Sequence, residues 1–174
     1  MDGDEMKKTS VILLIIISLL VTGCGAKKEV VYSNGKKVNT AKMGHKKCSR
    51  QATGGTGVDV NLDYDIYYKG EELTLVKSVE QVISADSSKL DEYEDAYKKI
   101  YEHYDGLEYF DAYVDRGDTS VTSNITINYE KIDTDALLKI EGEEDNIFED
   151  NKPKLSKYLS LIKKMGITCS ESTN

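Results

Sequence analysis

Two histidines, three cysteines and two groups of carboxylates are the side chains of this chain from which chemistry could be built. His45 stands three residues before Cys48 in a lysine-rich stretch, and His103 stands in "YEHYDG" at the end of a helical pattern. Neither imidazole keeps a Ser, Thr or Cys at a spacing that suggests a nucleophile with its base. The HExxH, GxSxG and phosphate-loop patterns are absent, so no catalytic residue is expected and the chain reads as a non-enzyme. His45 and Cys48 lack the further ligands that a zinc site needs. Asp63 and Asp65, two apart, share one face if their segment is a strand, and could hold a cation or simply be solvated. The acidic run with Glu141, Glu143, Glu144 and Asp145 is the better metal candidate, because calcium takes roughly six to eight oxygens from a flexible loop. Calcium is the one inorganic cofactor the sequence suggests, and a solvated charge run is the competing reading.

The third kind of chemistry concerns Cys24. Lys7 and Lys8 precede an apolar run over 11–21, broken only by Ser18, and Thr22-Gly23 brings small residues up to the sulfur. A basic head, a short apolar stretch and a small-residue site form an export signal. The apolar stretch falls well short of the roughly 20 residues that a membrane-spanning helix needs. Val21-Thr22-Gly23-Cys24 resembles the bacterial lipobox. That resemblance implies a diacylglycerol on the Cys24 thiol, further acyl chains, and Cys24 as the first mature residue. Two or more such chains hold a protein stably on a bilayer. Asp2, Asp4 and Glu5 oppose the basic head, so Met6 is the expected start. With Cys24 acylated, Cys48 and Cys169 remain, and an even pair in an oxidising place favours a disulfide over two free thiols.

Charge is unevenly distributed. Residues 24–50 carry eight basic residues against one acid, and residues 51–174 carry 13 basic against 27 acidic, a net −14. A body of that sign excludes nucleic acid as a partner, since phosphate repels it. The basic set is Lys27, Lys28, Lys36, Lys37, Lys42, Lys46, Lys47 and Arg50. It could lie along anionic lipid or wall polymer, or serve as a solvated spacer. Twelve tyrosines, two phenylalanines and no tryptophan leave tyrosine as the main aromatic, for the core and for any binding face.

The elements that must position these groups begin at residue 58. Val58, Val60, Leu62, Tyr64 and Ile66 alternate with polar residues, the period of a half-buried strand. Lys69-Gly70 turns the chain into a second strand through Leu73, Leu75, Val79 and Ile83. Ser87-Ser88 caps an expected helix to residue 105, with Leu90, Tyr93, Tyr97, Ile100 and Tyr104 on one stripe. Phe110, Ala112 and Val114 predict a third strand. Arg116-Gly117-Asp118 reads as a turn that also spells an adhesion tripeptide. Val121, Ser123, Ile125, Ile127 and Tyr129 predict a fourth strand. A short helical piece over 135–140 and a last helix opened by Pro153 follow.

The order hairpin, helix, hairpin, helix predicts an α+β domain: a four-stranded, mainly antiparallel sheet with helices packed on one face. The expected organisation is a lipoprotein signal peptide at 1–23, a basic flexible tether at 24–56, the folded domain at 57–169 and a tail at 170–174. "VDVNLDYDIYYKGEELTLVKSVEQVIS", "YEHYDGLEY", "VTSNITINYEKID" and "KKMGIT", behind a lipobox, resemble the YehR-like lipoproteins. That resemblance implies the α+β fold and brings no catalytic residue with it. The expected function is a membrane-anchored, extracytoplasmic lipoprotein that binds or interacts within the bacterial cell envelope, its partners being membrane lipid through Cys24 and an envelope protein or wall polymer. The alternative is a cation-dependent factor or enzyme acting on cell-wall material.

Overall fold

The computed structural model describes residues 30–54, 57–140 and 147–172. Its centre is a hairpin of two long strands, β4 (Val58–Lys69) and β5 (Glu72–Ser84). The alternation in β4 puts Val58, Val60, Leu62, Tyr64, Ile66 and Tyr68 on one face, and Gly70 turns the chain at φ +59°, a value that favours glycine. A register shift between Tyr67 and Tyr68 then changes the phase of β5. Leu73 and Val76 therefore join the face of Ile66, while Leu75 goes with Tyr67 to the other.

Helix α1 (Ser87–Glu102) follows. Its N-cap is Asp86, not the serine pair: Asp86 Oδ1 accepts from the Ser88 amide at 3.0 Å. Leu90 and Tyr97 are buried against Val58, Val82 and Val121, with Tyr93 and Tyr101 packed beside them. Tyr101 takes the place expected for Ile100, which is exposed. The helix carries the chain to β6 (Phe110–Arg116), and β7 (Ser120–Asn128) returns between β6 and β5. Asp133 caps the short α2 (Thr134–Leu137). A small hairpin, β8 (Phe148–Glu149) and β9 (Lys152–Pro153), precedes α3 (Leu155–Lys164). Pro153 thus lies in β9 and does not open the helix. Leu155 and Ile162 bury against Ile66, Leu73 and Val76. Gly166, at φ +77°, ends the helix.

The sheet has six strands rather than four, which overturns the fold expected from the sequence. One of the two additional strands comes from the segment that read as tether, and the other straddles the expected end of the domain at residue 169. β3 (Gly44–Gly54) pairs along the whole of its length with β4, and β10 (Thr168–Glu171) pairs with β3. Both are polar, so neither shows a half-buried pattern of its own; backbone pairing recruits them. The order is β10-β3-β4-β5-β7-β6, antiparallel throughout. Cys48 and Cys169 stand directly opposite one another on β3 and β10, and their sulfurs are bonded.

A second small hairpin, β1 (Tyr32–Ser33) with β2 (Lys36–Lys37), lies on the sheet face away from the helices. Val31, Val38 and Met43 pack there on Tyr67 and Leu75. The Asn34 amide donates to Asp111 on β6 at 2.7 Å.

Tyr64, Tyr97, Tyr101 and Tyr158 all belong to the helix-covered side. Burial raises the pKa of each hydroxyl, and the Glu80 carboxylate raises those of Tyr64, Tyr97 and Tyr101 further. A folded pKa above the unfolded value near 10 favours the fold fully below pH ~10 and loses that contribution as pH rises beyond it. Stability should fall above pH ~10, and absorbance at 295 nm should show these four phenols ionising only together with unfolding followed by circular dichroism.

A polar trough on the open face of the sheet

Both long helices lie on one face of the sheet, so much of the opposite face is open. Alternation presents Lys47, Ser49 and Gln51 from β3 and Asp59, Asn61, Asp63 and Asp65 from β4 on that side. Thr168 and Ser170 extend the row from β10. Over these three strands runs a shallow trough of about 450 Å³, lined by Lys47, Ser49, Asp63, Asp65, Thr168 and Ser170 with Cys48, Tyr64 and Cys169.

Asp65 is the organising group at one end. His45 Nε2 stands 2.7 Å from Asp65 Oδ1 and donates to it when Asp65 is ionised. The Lys47 ammonium lies 3.7 Å from the same oxygen. The His45 ring is buried and stacks on Tyr67 with centroids 4.3 Å apart. His45 therefore belongs to the sheet, where its Nε2 is committed to Asp65. Asp63 makes no ion pair among the described residues. The Asp63–Asp65 pair is a poor cation site, because the lysine already compensates Asp65. Among the described residues no three His, Cys, Asp or Glu side chains gather as metal ligands. The trough instead offers carboxylate, hydroxyl and ammonium groups side by side, the chemistry that holds a polar, hydrogen-bonding ligand such as a sugar or a peptide backbone.

The other candidate residues are dispersed. Cys24, Lys27 and Lys28 lie outside the described residues, as do Glu141, Glu143, Glu144 and Asp145. The remaining basic residues divide into two groups. Lys46 pairs with Glu171 and lies 5.7 Å from the Tyr68 ring centroid. Lys47 faces Asp65, and Arg50 Nη1 donates to the Met165 carbonyl at 2.6 Å. These three serve the sheet internally. Lys36, Lys37 and Lys42 are exposed and make no ion pair among the described residues. His103 caps α1 at its C-terminal end. Arg116 of the adhesion-like tripeptide is held to α1 by Asp91 at 3.1 Å and Glu94 at 3.5 Å. The sequence signal that could have found His45 is the alternation His45, Lys47, Ser49, Gln51, masked because the intervening residues are also largely polar.

Neither the protein-family models nor the curated proteins give a match to this chain. Two solved structures resemble it. The NMR structure of the E. coli YehR protein is 19% identical with a TM-score of 0.53, over 76% of this chain and 94% of that one. An NMR structure of a protein from Streptococcus pneumoniae TIGR4 is 15% identical with a TM-score of 0.49, over 86% and 99%. The chain is thus similar in fold to YehR.

Asp65→Ala would leave the buried His45 ring without its partner, at a cost of about 1–3 kcal/mol. Asp63→Ala, which breaks no ion pair, should stay within about 0.5 kcal/mol of the parent. Urea denaturation of the two variants measures the contrast.

Proposed function

We propose that the chain is a lipid-anchored, extracytoplasmic protein of a bacterial envelope, and that it binds an envelope protein or wall polymer through the open face of its sheet. The observation that carries this reading is the division of the three cysteines. Cys48 and Cys169 are joined to each other. Structural disulfides persist in oxidising compartments, outside the cytosol. The cysteine left over, Cys24, stands where a basic head, a short apolar run and two small residues would deliver it to lipid transfer. The fold similarity to YehR is consistent with the family resemblance read from the sequence, and membership in that lipoprotein family is part of the proposal.

Binding fits the open face better than catalysis does. Its groups are short polar side chains spread over a broad surface, and the one imidazole beside the trough is buried and engaged with Asp65. A ligand held there would be recognised through hydrogen bonds along the row of Ser49, Asp63, Thr168 and Ser170.

Mass spectrometry of protein extracted from its native host tests the anchor. The expected result is a mature terminus at Cys24 carrying a diacylglycerol mass. An unmodified Cys24, or a terminus elsewhere, would refute it.

A further inference from the structure

We propose that the β1–β2 hairpin is a second membrane contact, which docks on the surface of an anionic phospholipid bilayer and sets the orientation of the domain above it. The proposal deepens, and rests on, the lipid-anchored reading. The structure begins its description at Val30, and from there the chain is already part of the folded body: Val31 and Ser33 are buried, and the Val38 amide donates to the Val31 carbonyl at 2.8 Å. Packing of Val31, Val38 and Met43 on Tyr67 and Leu75 ties the hairpin to the sheet. Cys24 is only six residues from Val30. Six residues reach at most about 20 Å when fully extended. A chain expected to stand on a long tether is therefore held close to its anchor, and the hairpin is the part of the body nearest the lipid.

The hairpin's exposed side chains suit that position. Val30 is 45% exposed and Tyr32 59%, both among the few large apolar groups left in solvent. Tyr32 stands opposite Lys37 in the hairpin register, and Lys36 and Lys42 lie exposed nearby. Residues 30–50 hold no Asp or Glu at all. An amphipathic aromatic beside lysines whose stems can lie along apolar surface is the composition of an interfacial contact. Lysines within a Debye length, about 8–10 Å, of an anionic leaflet are attracted to it. Tethering through Cys24 makes even a weak contact effectively intramolecular. Asp59, Asp63 and Asp115 on the open face are repelled by the same leaflet, which turns the trough away from the lipid, while Asp111 beside the hairpin turn is engaged by the Asn34 amide.

The absence of tryptophan supplies the test. A Tyr32→Trp variant of residues 24–174, with Cys48 and Cys169 occupied by each other, can be coupled through the Cys24 thiol to maleimide-bearing vesicles. The vesicles are phosphatidylcholine alone, or equal parts phosphatidylcholine and phosphatidylglycerol, with and without brominated chains. Expected are a blue shift and quenching by brominated lipid on the anionic vesicles alone, reversed by high salt. Lys36→Gln and Lys37→Gln, each removing one positive charge, should each weaken the contact roughly fivefold. A Tyr113→Trp control, on the exposed face of β6, should be unaffected. No lipid-dependent change in Tyr32→Trp, or equal quenching of the control, overturns the proposal, as does salt-resistant retention on isolated wall polymer in preference to vesicles. Chemical coupling replaces natural acylation, so this failure is distinct from an unmodified Cys24 in the host.

Discussion

Backbone hydrogen bonds between β3 and β4 organise much of this molecule. Eleven successive residue pairs, from Gly44 opposite Tyr68 to Gly54 opposite Val58, hold a strand that has little apolar surface of its own. Because β3 is there, β4 is an interior strand and its apolar residues face a covered core. Because β3 is there, β10 has an edge to join and Cys169 meets Cys48. The start of β3 also fixes where the chain before it runs, which brings Met43 onto Tyr67 and Leu75 and places the β1–β2 hairpin. The disulfide reinforces this pairing by cross-linking positions 121 residues apart, a constraint that restricts the unfolded chain more than the folded one.

The sheet's two faces have divided roles. The face under α1 and α3 holds Ile66, Val76, Val82 and Val121, each buried and each contributing on the order of 1.5–3 kcal/mol through loss of apolar surface to water. On the other face the buried apolar cluster lies where the N-terminal hairpin covers Tyr67 and Leu75, while Val79 and Ile83 stand among polar neighbours. The bulge at Tyr67/Tyr68 makes that local exception workable. It lets consecutive residues Leu73, Thr74, Leu75 and Val76 all be buried, Thr74 satisfying its hydroxyl on the Tyr67 carbonyl at 2.9 Å. Beyond that corner the open face is free to carry Ser, Thr, Asn and Asp without desolvation cost.

Much of this was legible in the residues. β4 and β7 announce themselves by strict alternation, and α1 and α3 by stripes at spacings of three and four, because each buries a single apolar face that its own sequence must encode. The order of those elements followed, but the four-stranded sheet expected from them did not, since two further strands complete it. β3 did not show, because its covered-face positions are Lys46, Cys48, Arg50 and Ala52. The lysine and arginine there pair with Glu171 and the Met165 carbonyl at the sheet's edge instead of packing in a core. β10 was hidden for the same reason, and β5 was misphased because a bulge leaves no residue-type signature in "YYKGEELTL". The trough inherits this opacity: two-thirds of its lining comes from the two strands that polar composition concealed.

Whether residues 44–54 belong to the sheet decides both the trough and the distance between body and anchor. Amide hydrogen exchange of the oxidised protein measures this most directly. Protection across Gly44–Gly54 comparable with that of Val58–Lys69 is the predicted result. Exchange of those amides at the rate of an unstructured peptide, with β4 still protected, would contradict it.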